Sequence, residues 1–326
     1  MELKRMSYKH KNNKILYYAV NYLRQLIPRK RYQEKLETKL KSIDSLNEDD
    51  IQKIIFRVNY YNKLDKTVEL PSEAKMLSDL TLKKGSKTFF FDLYEYSKYF
   101  NQSLKGIFLF GDITHIPKEP SLVKSRPISD NNAYSVLLKW NKLRLFMFIK
   151  HDKKLFSQKK NMLVFRGKVH HITPHRAQFL EKYIDHPMCD IGKVNNKLIN
   201  AEWNVDRMTI DEQLEYKFIL CLEGIDVASN LRWVMSSNSL AVMPKPKFES
   251  WFMEGLLIPD YHYVLIKDDY SDLETKLEYY INNPDKADAV IKNSNDYLTQ
   301  FQNKQFEDLI SLMVLSKYFE KTNQHI

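Results

Sequence analysis

The amino-acid sequence predicts an α/β protein with parallel sheets, and three observations carry this prediction. Apolar runs of four or five residues recur along the chain, a length typical of buried strands. Segments with apolar residues at helical spacing lie between these runs. Residues that favour turns, such as Gly or Asn, follow several of the runs. Because strands and helices alternate, we expect a sheet with helices on both faces.

The clearest predicted unit lies in residues 215–264. Its expected elements are a strand at residues 218–222, a helix at residues 228–235 and a strand at residues 240–243. Gly224 breaks the first apolar run, and the polar residues 236–238 end the helix. Such a βαβ unit brings the start of its helix, with unpaired N–H groups, to the carboxyl edge of a parallel sheet. Phosphate groups bind favourably at such an edge.

Similar patterns predict the other elements. The expected strands cover residues 88–91, 107–110, 143–149, 162–165 and 263–266, and another ends within residues 186–192. One expected helix begins after Asn47. The other expected helices cover residues 93–100, 272–281, 283–303 and 306–320. Gly111 and Asp112 end the strand at residues 107–110. Ligands of parallel sheets gather at the carboxyl ends of the strands, so we expect Asp112 where chemistry takes place.

Length and charge pattern predict two domains. At 326 residues the chain is long for a single domain. The charged stretch at residues 150–160 marks the boundary. We therefore expect domains at residues 1–155 and 156–303, followed by a helical segment at residues 304–326.

The composition restricts the classes of partner. The net charge of +10 favours anionic partners, such as nucleotides, phospholipid surfaces or nucleic acid. Nucleic acid is disfavoured, because the basic residues are spread along the chain without a known binding module. The two cysteines, Cys189 and Cys221, lie beside apolar residues, which predicts buried free thiols in a reducing compartment. Neither a signal peptide nor a membrane-spanning segment is visible, so we expect a cytoplasmic protein, soluble or bound to a surface.

The amino-terminal residues 1–42 mix basic and aromatic side chains. A helix here would be amphipathic with basic flanks, a pattern typical of an anchor on anionic lipid. An ordinary surface helix that packs on the first domain is the alternative. A non-enzymatic protein that binds anionic glycan or nucleic acid through its positive charge is the alternative for the whole chain.

Three segments resemble glycosyltransferase family 90: YKFILCLEG at residues 216–224, SNSL at residues 237–240, and PDYHYVLIKDDYSDL at residues 259–273. The resemblance runs from about residue 109 to residue 283, and the bacterial lipopolysaccharide-type branch fits best. Protein O-glucosyltransferases and fungal capsule xylosyltransferases belong to the same family.

This resemblance implies a fold and a reaction. The fold is of the GT-B type, with two Rossmann-like domains, a cleft between them, and a last helix that packs back on the first domain. The reaction is the transfer, with inversion, of a hexose or pentose from a UDP-sugar to a bacterial surface glycan, lipopolysaccharide core above all. A cytoplasmic protein at the inner face of the membrane fits this reaction.

The resemblance also implies which residues hold the donor. They are Arg166 and Gly167 in a turn after a strand, Arg176, Asp190 near the base, the loop residues Gly224, Ser229 and Asn230, then Arg232, and Glu249 for the ribose hydroxyls. Many family members carry an arginine at the position of Asn230, and Arg232 could replace it. Glu249 could equally be a solvated loop residue.

The resemblance assigns the catalytic base to Asp112. A carboxylate suits the removal of a proton from an acceptor hydroxyl. Glu119 is the alternative base, and Lys124 and Arg126 are expected on the acceptor side. We expect no metal and no cofactor. The histidines at positions 170, 171 and 175 suggest a metal site, but no acidic or cysteine ligand lies at suitable spacing. Asp268, Asp269 and Asp272 fit a charge cluster at a helix start better than a metal clamp.

Overall fold

The computed structural model describes residues 9–82, 85–195 and 199–325. Its helices are α1 (Lys14–Gln25), α2 (Lys30–Gln33), α3 (Leu36–Lys41), α4 (Glu48–Tyr61), α5 (Lys87–Ser97), α6 (Lys142–Leu145), α7 (Pro174–Tyr183), α8 (Ile210–Gln213), α9 (Leu231–Met235), α10 (Leu273–Asn282), α11 (Pro284–Thr299) and α12 (Lys304–Lys321). Its strands are β1 (Lys75–Met76), β2 (Lys105–Leu109), β3 (Ser121–Val123), β4 (Ser125–Pro127), β5 (Ser135–Leu137), β6 (Lys160–Gly167), β7 (Cys189–Lys193), β8 (Tyr216–Leu220), β9 (Leu240–Met243), β10 (Phe248–Ser250) and β11 (Val264–Leu265).

The described residues fall into two compact units. The first unit contains Asn13–Leu143, Lys247–Gly255 and residues 300–325. The second unit contains residues 9–12, Arg144–Pro246 and Leu256–Thr299. Each unit combines helices with parallel strands, which confirms the predicted α/β class. Among the described residues, no helix is both long and apolar enough to cross a membrane.

The second unit is built on a sheet in which every strand pair is parallel. The spatial order is β7-β6-β8-β9-β11. The chain therefore adds β7 on one side of β6 and β8, β9 and β11 on the other side. In doubly wound sheets, ligands bind at the carboxyl ends of the strands where the order reverses. In this sheet the order reverses between β6 and β8.

Strands of the second unit are where the sequence predicted them. Phe218 of β8 lies opposite Leu240 of β9, and every residue of these two strands is buried. A strand that is buried on both faces appears in the sequence as a continuous apolar run, which makes it easy to locate. The helix between them is shorter than predicted, because α9 begins only at Leu231. The predicted buried free thiols, Cys189 and Cys221, are confirmed.

The first unit contains a four-stranded sheet in the order β1-β2-β3-β5. Strands β2, β3 and β5 are parallel, and β1 pairs with β2 in the antiparallel sense. Leu109 at the end of β2 lies opposite Val123 at the end of β3, so both strands end at the same edge. Helix α12 packs against α3, α4 and α5, and β4 pairs with β10 in a separate two-stranded sheet.

Two predicted strands are wrong. Residues 88–91 belong to α5, and residues 143–149 contain the end of α6 and an irregular segment. Helix α5 is buried on several sides, so its apolar run cannot be told from a strand by periodicity alone. The start of α6 is fixed by a distant residue, since the Asp92 carboxylate accepts a hydrogen bond from the Lys142 backbone N–H at 2.9 Å.

A buried ionic network stabilises the first unit around Glu307. One carboxylate oxygen lies 2.5 Å from the Arg57 guanidinium, and the other lies 2.6 Å from the Lys139 amine. The indole N–H of Trp251 also donates to Glu307, at 2.8 Å. Burial alone would raise the pKa of Glu307, but Lys139 and Arg57 outweigh it and hold the pKa below its usual value. Removing this carboxylate would leave two buried cations without their shared counter-charge.

Replacing Glu307 by glutamine tests this network. We expect Glu307→Gln to lower the free energy of unfolding at pH 7 by about 3–5 kcal/mol, the range for removing one partner of a buried ion pair. Glu320 is an exposed glutamate on the same helix and supplies a matched control. Glu320→Gln should change the free energy by less than about 0.5 kcal/mol. Urea unfolding followed by circular dichroism measures both values.

The effect of Glu307→Gln should also depend on pH. Because the folded-state pKa lies below the unfolded value, ionisation of Glu307 stabilises the protein above the unfolded pKa, about 4.3. This contribution is lost as the pH falls through the folded-state pKa. The difference in the free energy of unfolding between wild type and Glu307→Gln should therefore become smaller at acidic pH. A difference that stays constant down to acid unfolding would contradict the electrostatic role.

Candidate active site

Two sheet edges gather most of the predicted site residues. In the second unit, β6, β7, the first turn of α7 and the loop after β8 carry Arg166, Gly167, Arg176, Asp190, Gly224, Ser229 and Asn230. In the first unit, Asp112 and Lys124 follow the parallel strands β2 and β3. Three predicted residues lie elsewhere, and they are Arg126, Arg232 and Glu249.

Arg166 at the end of β6 binds the neighbouring strand β7. Its guanidinium donates to the backbone carbonyl of Asp190 at 2.7 Å and forms an ion pair with the Asp190 carboxylate. Tyr216 donates a further hydrogen bond to this carboxylate. Burial would raise the pKa of Asp190, but the bonds from Tyr216 and Arg166 lower it below the usual value. The charges of Arg166 and Asp190 therefore balance each other, and their predicted contacts with the donor stay predictions.

Arg176 in the first turn of α7 joins the two loops where the strand order reverses. Its guanidinium donates to the carbonyls of Lys168 after β6, at 2.8 Å, and of Leu222 and Glu223 after β8, both at 2.7 Å. His175 contacts the same Glu223 carbonyl at 2.8 Å. One side chain thus fixes the distance between the loops that follow β6 and β8.

The hydrogen bonds described for Arg176 go to neutral carbonyl groups, and Glu223 is the nearby carboxylate that acts on its charge. Burial and, to a smaller extent, nearby Arg144 lower the pKa of Arg176 to about 10, against the opposing effect of Glu223. A group with this pKa still carries its proton at neutral pH. Arg176 and Arg144 therefore place positive charge beside the point where the strand order reverses, which favours an anionic ligand.

Gly167 permits this arrangement through Phe165. A Cβ atom at Gly167 would lie 2.2 Å from the ring of Phe165, which is buried. The guanidinium of Arg176 lies 5.8 Å from the centre of the same ring, within the range of a cation–π contact. A larger residue at position 167 would displace the ring and, with it, Arg176.

The loop after β8 holds Gly224, Ser229 and Asn230. The Asn230 amide donates to the Leu220 carbonyl at 2.9 Å and ties the start of α9 to the end of β8. A Cβ atom at Gly224 would only touch the Arg176 guanidinium, at 3.5 Å. Ser229 is half-buried in the turn before α9. These residues lie on the predicted edge, and their contacts with a ligand stay predictions.

Arg232 is fully buried in the second unit. Its guanidinium lies 5.1 Å from the centre of the Phe146 ring. A side chain with no exposed surface cannot reach a nucleotide in solvent unless the protein rearranges. The idea that Arg232 replaces the family arginine missing at Asn230 therefore gains no support from its position.

The histidine segment after β6 has a local structural role. Thr173 and His170 exchange hydrogen bonds of 3.0–3.1 Å that close the turn before α7. His175 is in contact with a backbone carbonyl. In the part of the chain that the structure describes, no group of three His, Cys, Asp or Glu side chains could hold a metal ion. The expectation of metal-free chemistry stays a prediction.

Asp112 lies at the carboxyl edge of the first-unit sheet, paired with Lys124. The Lys124 amine forms an ion pair with one Asp112 oxygen. The Lys124 side chain is only 4% exposed, whereas that of Asp112 is 34% exposed. A buried ammonium group requires a counter-charge, so Lys124 holds the Asp112 carboxylate in place. Asp112 is therefore fixed on one side and open to solvent on the other.

Gly111 turns the chain before Asp112. Its φ of +126° lies in a region that residues with a Cβ rarely adopt. The turn takes Asp112 out of the line of β2. Glu119, the alternative base, instead precedes β3, and because β2 and β3 are parallel it enters at the opposite edge. Asp112 is thus the better placed of the two carboxylates for a ligand at the carboxyl edge.

Arg126 and Glu249 form one buried ion pair between β4 and β10. The Nε atom of Arg126 lies 2.7 Å from a Glu249 oxygen, and both residues are almost fully buried. Tyr60 donates to the other Glu249 oxygen, and Arg126 also donates to the Ser135 carbonyl at 2.9 Å. In this structure the pair joins β4 to β10 within the first unit. Contacts of Arg126 with an acceptor and of Glu249 with ribose stay predictions.

Three contacts of the predicted site residues were not expected from the sequence. They are the Lys124–Asp112 pair at the first-unit edge, the Arg126–Glu249 pair between β4 and β10, and the hydrogen bonds by which Arg176 joins two loops. The first pair was not expected, because the sequence predicts the strand before Asp112 but not β3, the strand before Lys124. The second pair spans 123 positions and has no local signal.

Comparison with known proteins identifies the family of this chain. The profile of glycosyl transferase family 90 matches residues 132–321. The chain is 40% identical over 263 residues to a protein of Dichelobacter nodosus named O-glucosyltransferase LpsA, and the match covers 81% of each chain. It is also 28% identical over 129 residues to an uncharacterized protein, 179R, of Invertebrate iridescent virus 6, over 37% of this chain and 11% of the viral protein. Since the profile covers more than half of the chain and the bacterial relative most of it, the protein belongs to glycosyl transferase family 90.

Proposed function

We propose that the protein is an inverting glycosyltransferase that moves a sugar from a UDP-sugar to a bacterial surface glycan, with lipopolysaccharide core as the acceptor class. The observation that carries the proposal is the exposed Asp112 carboxylate, held by buried Lys124 at the carboxyl edge of a parallel sheet. The relative from Dichelobacter nodosus is named as an O-glucosyltransferase, so UDP-glucose is the first donor to test.

Asp112 is the base of the proposed reaction. The acceptor hydroxyl oxygen attacks C1 of the sugar from the face opposite to UDP, and a new C1–O bond forms. Asp112 takes the hydroxyl proton as the bond between C1 and the UDP oxygen breaks, and UDP leaves with the electron pair. One displacement inverts the configuration at C1. Lys124 keeps one oxygen of Asp112 fixed, so the other oxygen is available for the hydroxyl.

The second unit binds the donor in this proposal. The diphosphate lies at the loops after β6 and β8, where Arg176 and Arg144 supply positive charge. Arginines that are fixed before the reaction stabilise the negative charge that develops on UDP, without a metal ion. This division of work, with acceptor chemistry in the first unit and donor binding in the second, is that of GT-B transferases. The acceptor is a glycolipid, so we infer that the protein works in the cytoplasm at a membrane surface.

Binding of UDP without metal is the first prediction of this proposal. At a concentration about 100 times its Kd, UDP should stabilise the protein by about 2.7 kcal/mol, because it binds only the folded state. A thermal melt in buffer with excess EDTA measures the rise in melting temperature that UDP causes. ADP at equal concentration serves as the control for base recognition. Loss of the UDP shift on adding EDTA would contradict the metal-free proposal.

Arg176 should matter for UDP affinity. Arg176→Met removes the charge and the hydrogen bonds that join the two loops. UDP affinity should therefore fall about 10- to 100-fold, the range for losing charged hydrogen bonds. Arg176→Lys keeps the charge and should restore part of the affinity. Arg207→Met, at an exposed arginine of the same unit, is the matched control and should bind UDP normally. Isothermal titration on variants with normal melting curves makes the comparison.

If Arg176→Met binds UDP as tightly as wild type, the donor lies away from the loops after β6 and β8. If Arg176→Lys and Arg176→Met lose the same affinity, the joint between the loops matters and the charge does not.

Asp112→Asn should abolish most of the activity while it spares binding. The amide keeps the size of the side chain but cannot accept a proton at neutral pH. Sugar transfer to a core acceptor should fall about 100-fold or more, the usual range for losing a general base. UDP affinity should stay near wild type, because the base lies in the first unit. The melting temperature should fall, because the amide no longer balances the charge of buried Lys124. Glu119→Gln is the matched control and should retain activity. Normal turnover in well-folded Asp112→Asn would remove Asp112 from the mechanism.

A further inference from the structure

Helix α1 exposes its apolar face to solvent. Most large apolar side chains of α1 and of the two residues that follow it are exposed, and they are Ile15, Leu16, Val20, Tyr22, Leu23, Leu26 and Ile27. Ile15 is 83% exposed, Leu23 62% and Leu26 78%. At 100° per residue these positions fall on one side of the helix. We call this set of seven residues the α1 face.

The opposite side of α1 holds the helix to the first unit through polar and aromatic contacts. The Tyr17 hydroxyl donates to the Asp92 carboxylate at 2.7 Å, and Arg24 forms an ion pair with Glu95 at 2.9 Å. Tyr17 and Tyr18 pack edge-on against the Phe91 ring, with ring centres 6.4 Å and 5.9 Å away. These contacts fix the rotation of the helix, so it cannot turn its apolar face inward without breaking them.

This orientation is the reverse of an ordinary surface helix, which buries its apolar stripe against the core. Scattered exposed apolar residues need no explanation, but a contiguous patch on one face marks an interaction surface. Tyr22 lies at the boundary between the packed side of α1 and the α1 face. Its ring contacts Phe91 with ring centres 5.1 Å apart, and the residue is 44% exposed. The α1 face is therefore built into the fold and forms a candidate interaction surface.

The charge around the α1 face identifies the kind of partner. Residues 14–35 contain six basic residues and one acidic residue, a net charge of +5. Lys14, Lys30, Arg31 and Lys35 are exposed. A second copy of the chain would bring the same positive charge against this one and be repelled. An anionic bilayer instead offers an apolar interior for the leucines and negative headgroups for the bases.

We propose that the α1 face is a docking surface for an anionic lipid bilayer. The helix lies in the plane of the membrane, its leucines and isoleucines enter the boundary between headgroups and acyl chains, and the neighbouring lysines and arginines contact the headgroups. The proposal rests on the orientation of α1 and on charge, so it stands independently of the proposed transferase reaction.

Flotation of the full chain with liposomes tests the proposal. The probes are vesicles of phosphatidylcholine alone and vesicles with about one third phosphatidylglycerol, a composition chosen to give an anionic surface. The protein should bind the anionic vesicles, and binding should weaken as salt rises from about 0.05 M to 0.5 M, because screening reduces the attraction of the bases. Binding to phosphatidylcholine alone with equal strength would contradict the role of charge.

The double variant Leu23→Gln/Leu26→Gln should bind anionic vesicles at least tenfold more weakly. Both residues are exposed, so the fold should not change. The matched control is Leu155→Gln/Ile258→Gln, at two residues of the second unit with 63% and 53% exposure. The control should bind like wild type. Equal binding by Leu23→Gln/Leu26→Gln and wild type would overturn the proposal.

Sedimentation of the free protein tests whether a second copy of the chain covers the α1 face instead. The wild type should not self-associate through the α1 face, so Leu23→Gln/Leu26→Gln should leave its sedimentation coefficient unchanged. A dimer that this variant converts to a monomer would assign the face to a second copy and overturn the lipid proposal. Transfer to a water-soluble acceptor should be normal in the variant. A variant that binds vesicles poorly but transfers sugar normally therefore separates this proposal from the proposed reaction.

Discussion

Parallel strand pairing is the constraint on which both candidate edges depend. The register of β2 on β3 ends the two strands at one level, so Asp112 and Lys124 meet although they come from successive strands. The pairing of β6 with β8 does the same for the loops that Arg176 joins, which lie more than forty positions apart in the chain. Without this register, neither edge would bring its polar groups together.

Burial and pairing then decide which polar groups remain available to a ligand. Arg166 balances Asp190, and Arg126 balances Glu249, so these charges are already satisfied within the protein. Arg176 binds neutral carbonyl groups and retains its charge. Among the residues that the structure describes, Asp112 pairs with Lys124 on one side and stays partly exposed on the other. A charged side chain near a predicted site is thus a weak indication of function until its own partners are known.

The sequence predicted the second unit better than the first for a physical reason. Strands such as β8 and β9 are buried on both faces and appear as unbroken apolar runs. Helix α5 gives the same signal because it is buried on several sides, so residues 88–91 were predicted as a strand. The orientation of α1 could not be read from its amphipathic pattern, because distant residues of α5, such as Asp92 and Glu95, decide which side is packed.

In the proposed reaction, Asp112 is the general base of a single displacement at the anomeric carbon of a UDP-sugar. The most direct test is the configuration of the product formed from UDP-α-glucose and a core acceptor, read from the anomeric proton coupling by NMR. The proposed single displacement gives a β-linked product, because one backside attack inverts the configuration at C1. An α-linked product would contradict it, since retention requires a different mechanism and a different role for Asp112.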